Sequence, residues 1–168
     1  MPADPRQKFI DAAREFDKRK RALCIGDSWF QYPLRSYGDI QRKLATHYRS
    51  EILFFDDSNA GRDAKQVPTE IQPRLNRFCA HMAQVEKKPF NLILVSLGGN
   101  DVIGQDFPLH LKKKNQPTDG TTFQWNKNIP PSVRSFIKLN PLSETFSKVL
   151  ATYEGILEMR KQFAPKAQ

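Results

Sequence analysis

The sequence predicts an α/β protein built on a parallel sheet, and three observations carry that prediction. Short apolar runs alternate with stretches of helical periodicity, in the order helix and then three strand–helix units. That alternation belongs to βαβ units with right-handed crossovers. The run Phe90-Asn-Leu-Ile-Leu-Val-Ser-Leu97 is almost continuously apolar, as suits a parallel strand covered on both faces. Finally, each apolar run stops at a polar segment containing glycine, at 26–28, 58–63 and 98–101. Ligands of such sheets bind beyond the carboxyl ends of the strands, so the three segments are expected to converge on one site.

The elements follow in order. Asp4-Pro5 starts a helix, an N-cap followed by a residue already set for the first turn. Phe9, Ile10, Ala13 and Phe16 mark its apolar face. The basic run Lys18-Arg-Lys-Arg21 suits the negative end of its dipole. Strand one spans Ala22 to Ile25 and breaks at Gly26-Asp27-Ser28, where glycine would supply a positive or strained φ. After the aromatic segment Trp29–Tyr32, Ser36 caps a second helix with face Tyr37, Ile40, Leu44 and Tyr48. Strand two is Ile52 to Phe55. Ile71, Leu75, Phe78, Met82 and Val85 set the face of a third helix, whose start is blurred by Pro68 and Pro73. Between Val102 and Asn140 periodicity is lost, which predicts a long loop, functional or disordered, with a short helix near 132–139. Asn140-Pro141 opens a last helix with stripe Leu142, Phe146, Val149, Leu150, Tyr153, Ile156 and Leu157.

At 168 residues the chain fits a single domain, 1–168, with 102–140 as an insert loop. No apolar stretch approaches a membrane span. The N-terminus lacks the basic-then-apolar pattern of a signal peptide, which makes the cytoplasm the default expectation. A formal charge of +9 can attract polyanions, but only Lys18–Arg21 and Lys112–Lys114 form runs. Such spread charge reads as solvated helix faces, and no DNA partner is expected. Two cysteines, Cys24 and Cys79, are too far apart in sequence for a metal-binding pair.

Ser28, Gly61 and Asn100, set at three neighbouring strand ends, suggest acyl transfer. That chemistry needs a nucleophile and donors aimed at the developing oxyanion. The hydroxyl of Ser28 would attack, and the N–H groups of Ser28 and Gly61 with the Asn100 amide would hold the negative charge.

In these residues the chain resembles the SGNH, or GDSL-like, hydrolase superfamily. Gly26-Asp27-Ser28 matches its first block, Gly61 in Asn59-Ala-Gly-Arg its second, and Gly98-Gly-Asn100-Asp101 its third. The resemblance implies a three-layer flavodoxin-like fold and metal-free, cofactor-free hydrolysis of lipid, thioester or O-acetyl sugar esters. It makes Ser28 the nucleophile and Gly61 and Asn100 oxyanion-hole members. Asp27 and Asp101 would hold the turns.

The chain departs from the family at the base. An Asp-x-x-His block after two further strands is expected and does not occur. His47 and His81 fall on helices as surface or packing residues. His110, four residues after Asp106 in the long loop, is the one candidate substitute. Serine without a base is a poor nucleophile at neutral pH. Gln168 falls where the last helix would turn into strand four, which leaves strand three as an apolar edge. The expectation is therefore an SGNH-like sheet lacking its last two strands, completed by a further C-terminal segment or a second chain, with the long loop as the competing cover. Two further readings stay open: a catalytically inactive binding module of the same fold, and a phosphate or nucleotide binder. The latter would lack both the P-loop and the Gly-x-Gly-x-x-Gly pattern.

Overall fold

A computed structural model describes residues 4–16, 18–27, 30, 40–59, 61–103 and 139–168. The N-cap prediction holds for α1, Pro5–Glu15: the Asp4 carboxylate accepts from the Arg6 N–H at 2.9 Å. Three parallel strands follow, β1 (Lys20–Gly26), β2 (Ile52–Asp56) and β3 (Leu92–Ser96), in the order β2-β1-β3. Ala22 lies beside Phe54 on one side and Leu92 on the other. The mixed α/β class and the parallel sheet are as the alternation of elements predicted.

Burial ranks the strands differently from their sequences. Central β1 is buried through both faces from Ala22 to Gly26, whereas every residue of β3 is only half-buried. The longest apolar run thus forms an edge of the described sheet. That edge is not bare. Gln168 N donates to the Asn91 carbonyl at 3.1 Å and Ile93 N donates to the Gln168 carbonyl at 3.0 Å. This pair of bonds has the pattern of a single parallel rung alongside β3. The Tyr153 hydroxyl meets the Leu97 carbonyl further along.

Between β2 and β3 the chain is helical from Ala64 to Val85 with changing pitch. A 3-10 turn, Ala64–Gln66, leads into a π turn, Val67–Ile71, then into α3, Gln72–Ala80, and a second π turn, His81–Val85. Pro68 and Pro73 each sit in the first turn of a segment, where a missing N–H costs little. The prolines therefore change the pitch without ending the helix. The face Ile71, Leu75, Phe78 and Met82 is buried as predicted, but Val85 is 64% exposed. The wider π turn shifts Val85 off the α-helical spacing on which its burial was predicted.

The core on this side joins Phe9, Phe55, Phe78 and Phe90, with centroids 4.6 to 6.1 Å apart and mostly edge-to-face contacts. Such pairs contribute roughly 0.5–1.5 kcal/mol each beyond burial. They tie α1 and α3 to the sheet. The helix α2, Ile40–His47, buries no side chain, and Ile40 is exposed, unlike the face expected for it. The short α4, Gly99–Ile103, begins just after β3. The long α5, Leu139–Phe163, buries Leu142, Thr152, Ile156, Met159 and Phe163. Phe146, Leu150 and Leu157 of its predicted stripe are exposed. The apolar sector is wider than the face that meets α3 and the 3-10 turn. Ser36, the proposed 132–139 helix and most of the 102–140 loop lie outside the described residues.

Candidate functional site

The three strand ends converge, and backbone bonds hold them together. After β1, Asp27 N donates to the Ser96 carbonyl at 2.9 Å, while Ser96 Oγ donates to Asp27 Oδ1 at 3.3 Å. These bonds fasten the end of β1 to the end of β3. After β2, Asp57 N donates to the Cys24 carbonyl at 2.9 Å and Asn59 N to the Gly26 carbonyl at 3.0 Å. The loop that carries Gly61 thereby runs on beside β1.

Gly26 is required for a reason other than the one its position suggested. It does not have a positive φ. A Cβ built there would lie 2.2 Å from Phe30 Cδ2. The Phe30 ring packs onto the strand end, and its N–H returns to the Asp27 carbonyl at 3.2 Å. Ser28 and Trp29, between those two anchors, lie outside the described residues. Gly61 does have φ of +81° and faces open space, a conformation glycine adopts without steric cost.

Asn100 is brought to Gly61 through the next residue. Its Nδ2 donates to the Arg62 carbonyl at 3.1 Å. One amide hydrogen is used in that bond and the other remains as a donor. Asp101 is buried, and its carboxylate accepts from Ala64 N at 2.6 Å and Lys65 N at 3.2 Å. It thus caps the 3-10 turn, the turn-holding role expected of it. Asp27, joined to Ser96, has the same kind of role.

Sequence reasoning passed over the ion cluster beneath the loop. Buried Asp57 accepts from Arg74 Nη2 at 2.7 and 2.8 Å and lies 3.3 Å from Arg62 Nη1, which also reaches the Asp57 carbonyl. Burial pulls the Arg62 guanidinium below its ordinary value and Asp57 opposes that shift. Arginine remains charged through such a shift. The signal was the charged residue directly after Gly61, legible only once burial was known.

The histidines and cysteines separate from this site. His47 ends α2 and precedes β2, while His81 follows α3, with its Nε2 3.0 Å from Glu86 Oε1. Crossover helices run back along the sheet, so both lie toward the amino ends of the strands. His110 lies outside the described residues. Cys24 is buried, and burial, with Asp56 adding, pushes its thiol up to about 12. Burial likewise pushes Cys79 up to about 12. Neither offers a thiolate at neutral pH. Among the described residues, no three His, Cys, Asp or Glu side chains gather as a metal-holding group. Nor is any described helix long and apolar enough to cross a membrane.

No family model, characterised protein or solved structure matches this chain.

Proposed function

We propose that the chain is a serine hydrolase domain of SGNH type acting on carboxylic esters, with a flavodoxin-like sheet. One observation carries the reading. The segment entering Ser28, the Gly61 loop and Asn100 are hydrogen-bonded to one another at the carboxyl ends of three parallel strands. In this reaction Ser28 Oγ attacks the acyl carbon and gives up its proton to a base. The oxyanion forms against the N–H groups of Ser28 and Gly61 and the free Asn100 amide hydrogen. Its collapse expels the alcohol, which takes a proton, and water then releases the acid from the acyl-enzyme.

With His47 and His81 at the far ends of the strands, the base falls to His110 or to a group arriving on a further strand. The Gln168 rung on β3 supports the second source. In this reading a second chain or a continuation beyond Gln168 pairs along β3 and completes the site. The substrate is a lipid, thioester or acetylated-sugar ester, and the Trp29–Tyr32 segment and the 102–140 loop would shape its pocket.

The experiment is labelling with a fluorophosphonate serine probe. With the completing segment or chain present, wild type is expected to label and Ser28→Ala not to; labelling of both to the same extent removes Ser28 as the nucleophile. The position of the two helical histidines also favours a second reading, a folded binding module without turnover. Correct folding with no hydrolysis of short-chain and acetylated esters would select it.

A further inference from the structure

The basic run Lys18–Arg21 has no part in the chemistry at the strand carboxyl ends. It lies at the opposite end of β1, about 20 Å away for a strand of this length. In the sequence this charge looks dispersed. In the fold, pairing of β1 with β2 places Lys20 beside Ile52 and so brings the segment before β2 against the segment before β1. The result is an open cleft of about 790 Å³ lined, among the described residues, by Phe16, Lys18, Arg19, Arg49, Ser50 and the carboxylate-bearing Glu15.

Each residue has a distinct part. The Arg19 guanidinium lies 3.9 Å from the centroid of the Phe16 ring and donates from Nη1 to the Arg49 carbonyl at 2.7 Å. It fixes the ring relative to Arg49 and covers part of the ring. Phe16 is nevertheless 44% exposed, a large aromatic surface left in a basic cleft. Lys18 and Arg49 are exposed and make no ion pair among the described residues. Unpaired cations beside an open aromatic ring fit a ligand that carries a phosphate next to a flat ring.

We propose that this cleft binds a nucleotide unit, with the base against Phe16 and the phosphate between Lys18 and Arg49. The unit could belong to a free nucleotide or to a single-stranded nucleic acid; the chemistry of recognition is the same. This site is independent of the hydrolase reading.

The test is fluorescence anisotropy of a labelled oligouridylate with the full chain, across a salt series. Two cations on the phosphates predict a log–log salt slope of about −1.4 for single strands. The double variant Lys18→Glu/Arg49→Glu should weaken binding at least about tenfold and flatten that slope, whereas Lys148→Glu on α5 should leave both unchanged. Phe16→Ala should cost about fivefold or more, the range for loss of one stacked base, and Phe16→Trp should restore it. Unchanged thermal midpoints establish that these surface variants fold. Competition by uridine monophosphate as strong as by unlabelled oligonucleotide assigns the site to free nucleotides; weaker competition assigns it to a strand. The proposal is overturned if inorganic phosphate competes as well as the monophosphate, or if Phe16→Ala has no effect. It is equally overturned if Lys148→Glu weakens binding as much as the double variant, or if the chain binds anionic lipid vesicles and ignores the oligonucleotide.

Discussion

The Asn100 side chain is tied to the carbonyl of Arg62, the residue after Gly61, across 3.1 Å. Two of the three proposed oxyanion donors are therefore positioned by one hydrogen bond. Asn100→Ala removes a donor and releases the Gly61 loop. It is expected to slow fluorophosphonate labelling about a hundredfold. Asn100→Asp should be at least as slow, because a carboxylate repels both the Arg62 carbonyl and the oxyanion. Labelling of either variant at the wild-type rate would remove Asn100 from the site.

Gly26 and Phe30 should be coupled. Gly26→Ala puts a methyl 2.2 Å from Phe30 Cδ2, in a strand with no space to yield. Overpacking of this kind costs about 1–3 kcal/mol. Truncating the ring removes the clash, so Gly26→Ala/Phe30→Ala should lose less than the sum of the single variants. Denaturant unfolding of all four proteins measures this, and strict additivity would mean that the ring is not what requires glycine.

The pattern of apolar residues was enough to place all three strands, because a parallel sheet needs continuous apolar runs and this chain has three. It also placed Gly61 and Asn100 beside each other, since strand ends of one direction must meet. What it could not supply was the depth of each strand. The richest run forms the half-buried β3 and the shorter one the part of β1 buried from Ala22 on, because burial depends on strand order, which composition does not encode. Val85 was misplaced because spacing arguments assume one pitch and this helix has three. The Phe16–Arg49 cleft was invisible because its two halves are brought together only by β1–β2 pairing.

The Asp57 carboxylate serves two arginines, one of them buried, so its removal leaves charge without compensation. Breaking a buried pair from one side costs about 3–5 kcal/mol. Asp57→Ala is expected to destabilise by that order and to loosen the Gly61 loop, visible as faster exchange of the Asn59 amide. Asp57→Asn keeps one side-chain acceptor for the two arginines and should lose less. Equal losses would show that the arginines require the charge and that a neutral acceptor does not replace it.

Glu86 gives the fold a measurable acid dependence. Its carboxylate accepts from Arg14 at 2.7 and 2.8 Å and sits beside His81. The Arg14 hydrogen bond above all holds it below the ordinary 4.5, with burial opposing and His81 assisting. A depressed carboxylate contributes stability that is complete above its unfolded value and is lost as pH falls through the folded one. The thermal midpoint of Glu86→Gln should therefore lie below wild type at about pH 7, and the two should converge as the pH falls through the folded value, below the ordinary 4.5. A gap that persists in acid would assign the effect to packing.

The outer edge of β3 can be read residue by residue. Ser96 turns its carbonyl toward β1 and Ile93 turns its amide toward Gln168, so alternation points Ile93, Val95 and Leu97 outward. Beside them lies a groove of about 250 Å³ lined by the apolar side chains of Ile93, Val95, Ile156 and Leu157 and closed by Arg160 and Gln168. Removing residues 165–168 should unprotect the Ile93 amide in hydrogen exchange and leave Leu94, paired with β1, unchanged. If the edge takes a further parallel strand, protection of the Val95 amide should rise once a longer chain or a partner is present. Val95 exchange that stays fast in every longer or mixed assembly would show that the Gln168 rung stands alone and that the sheet ends at β3.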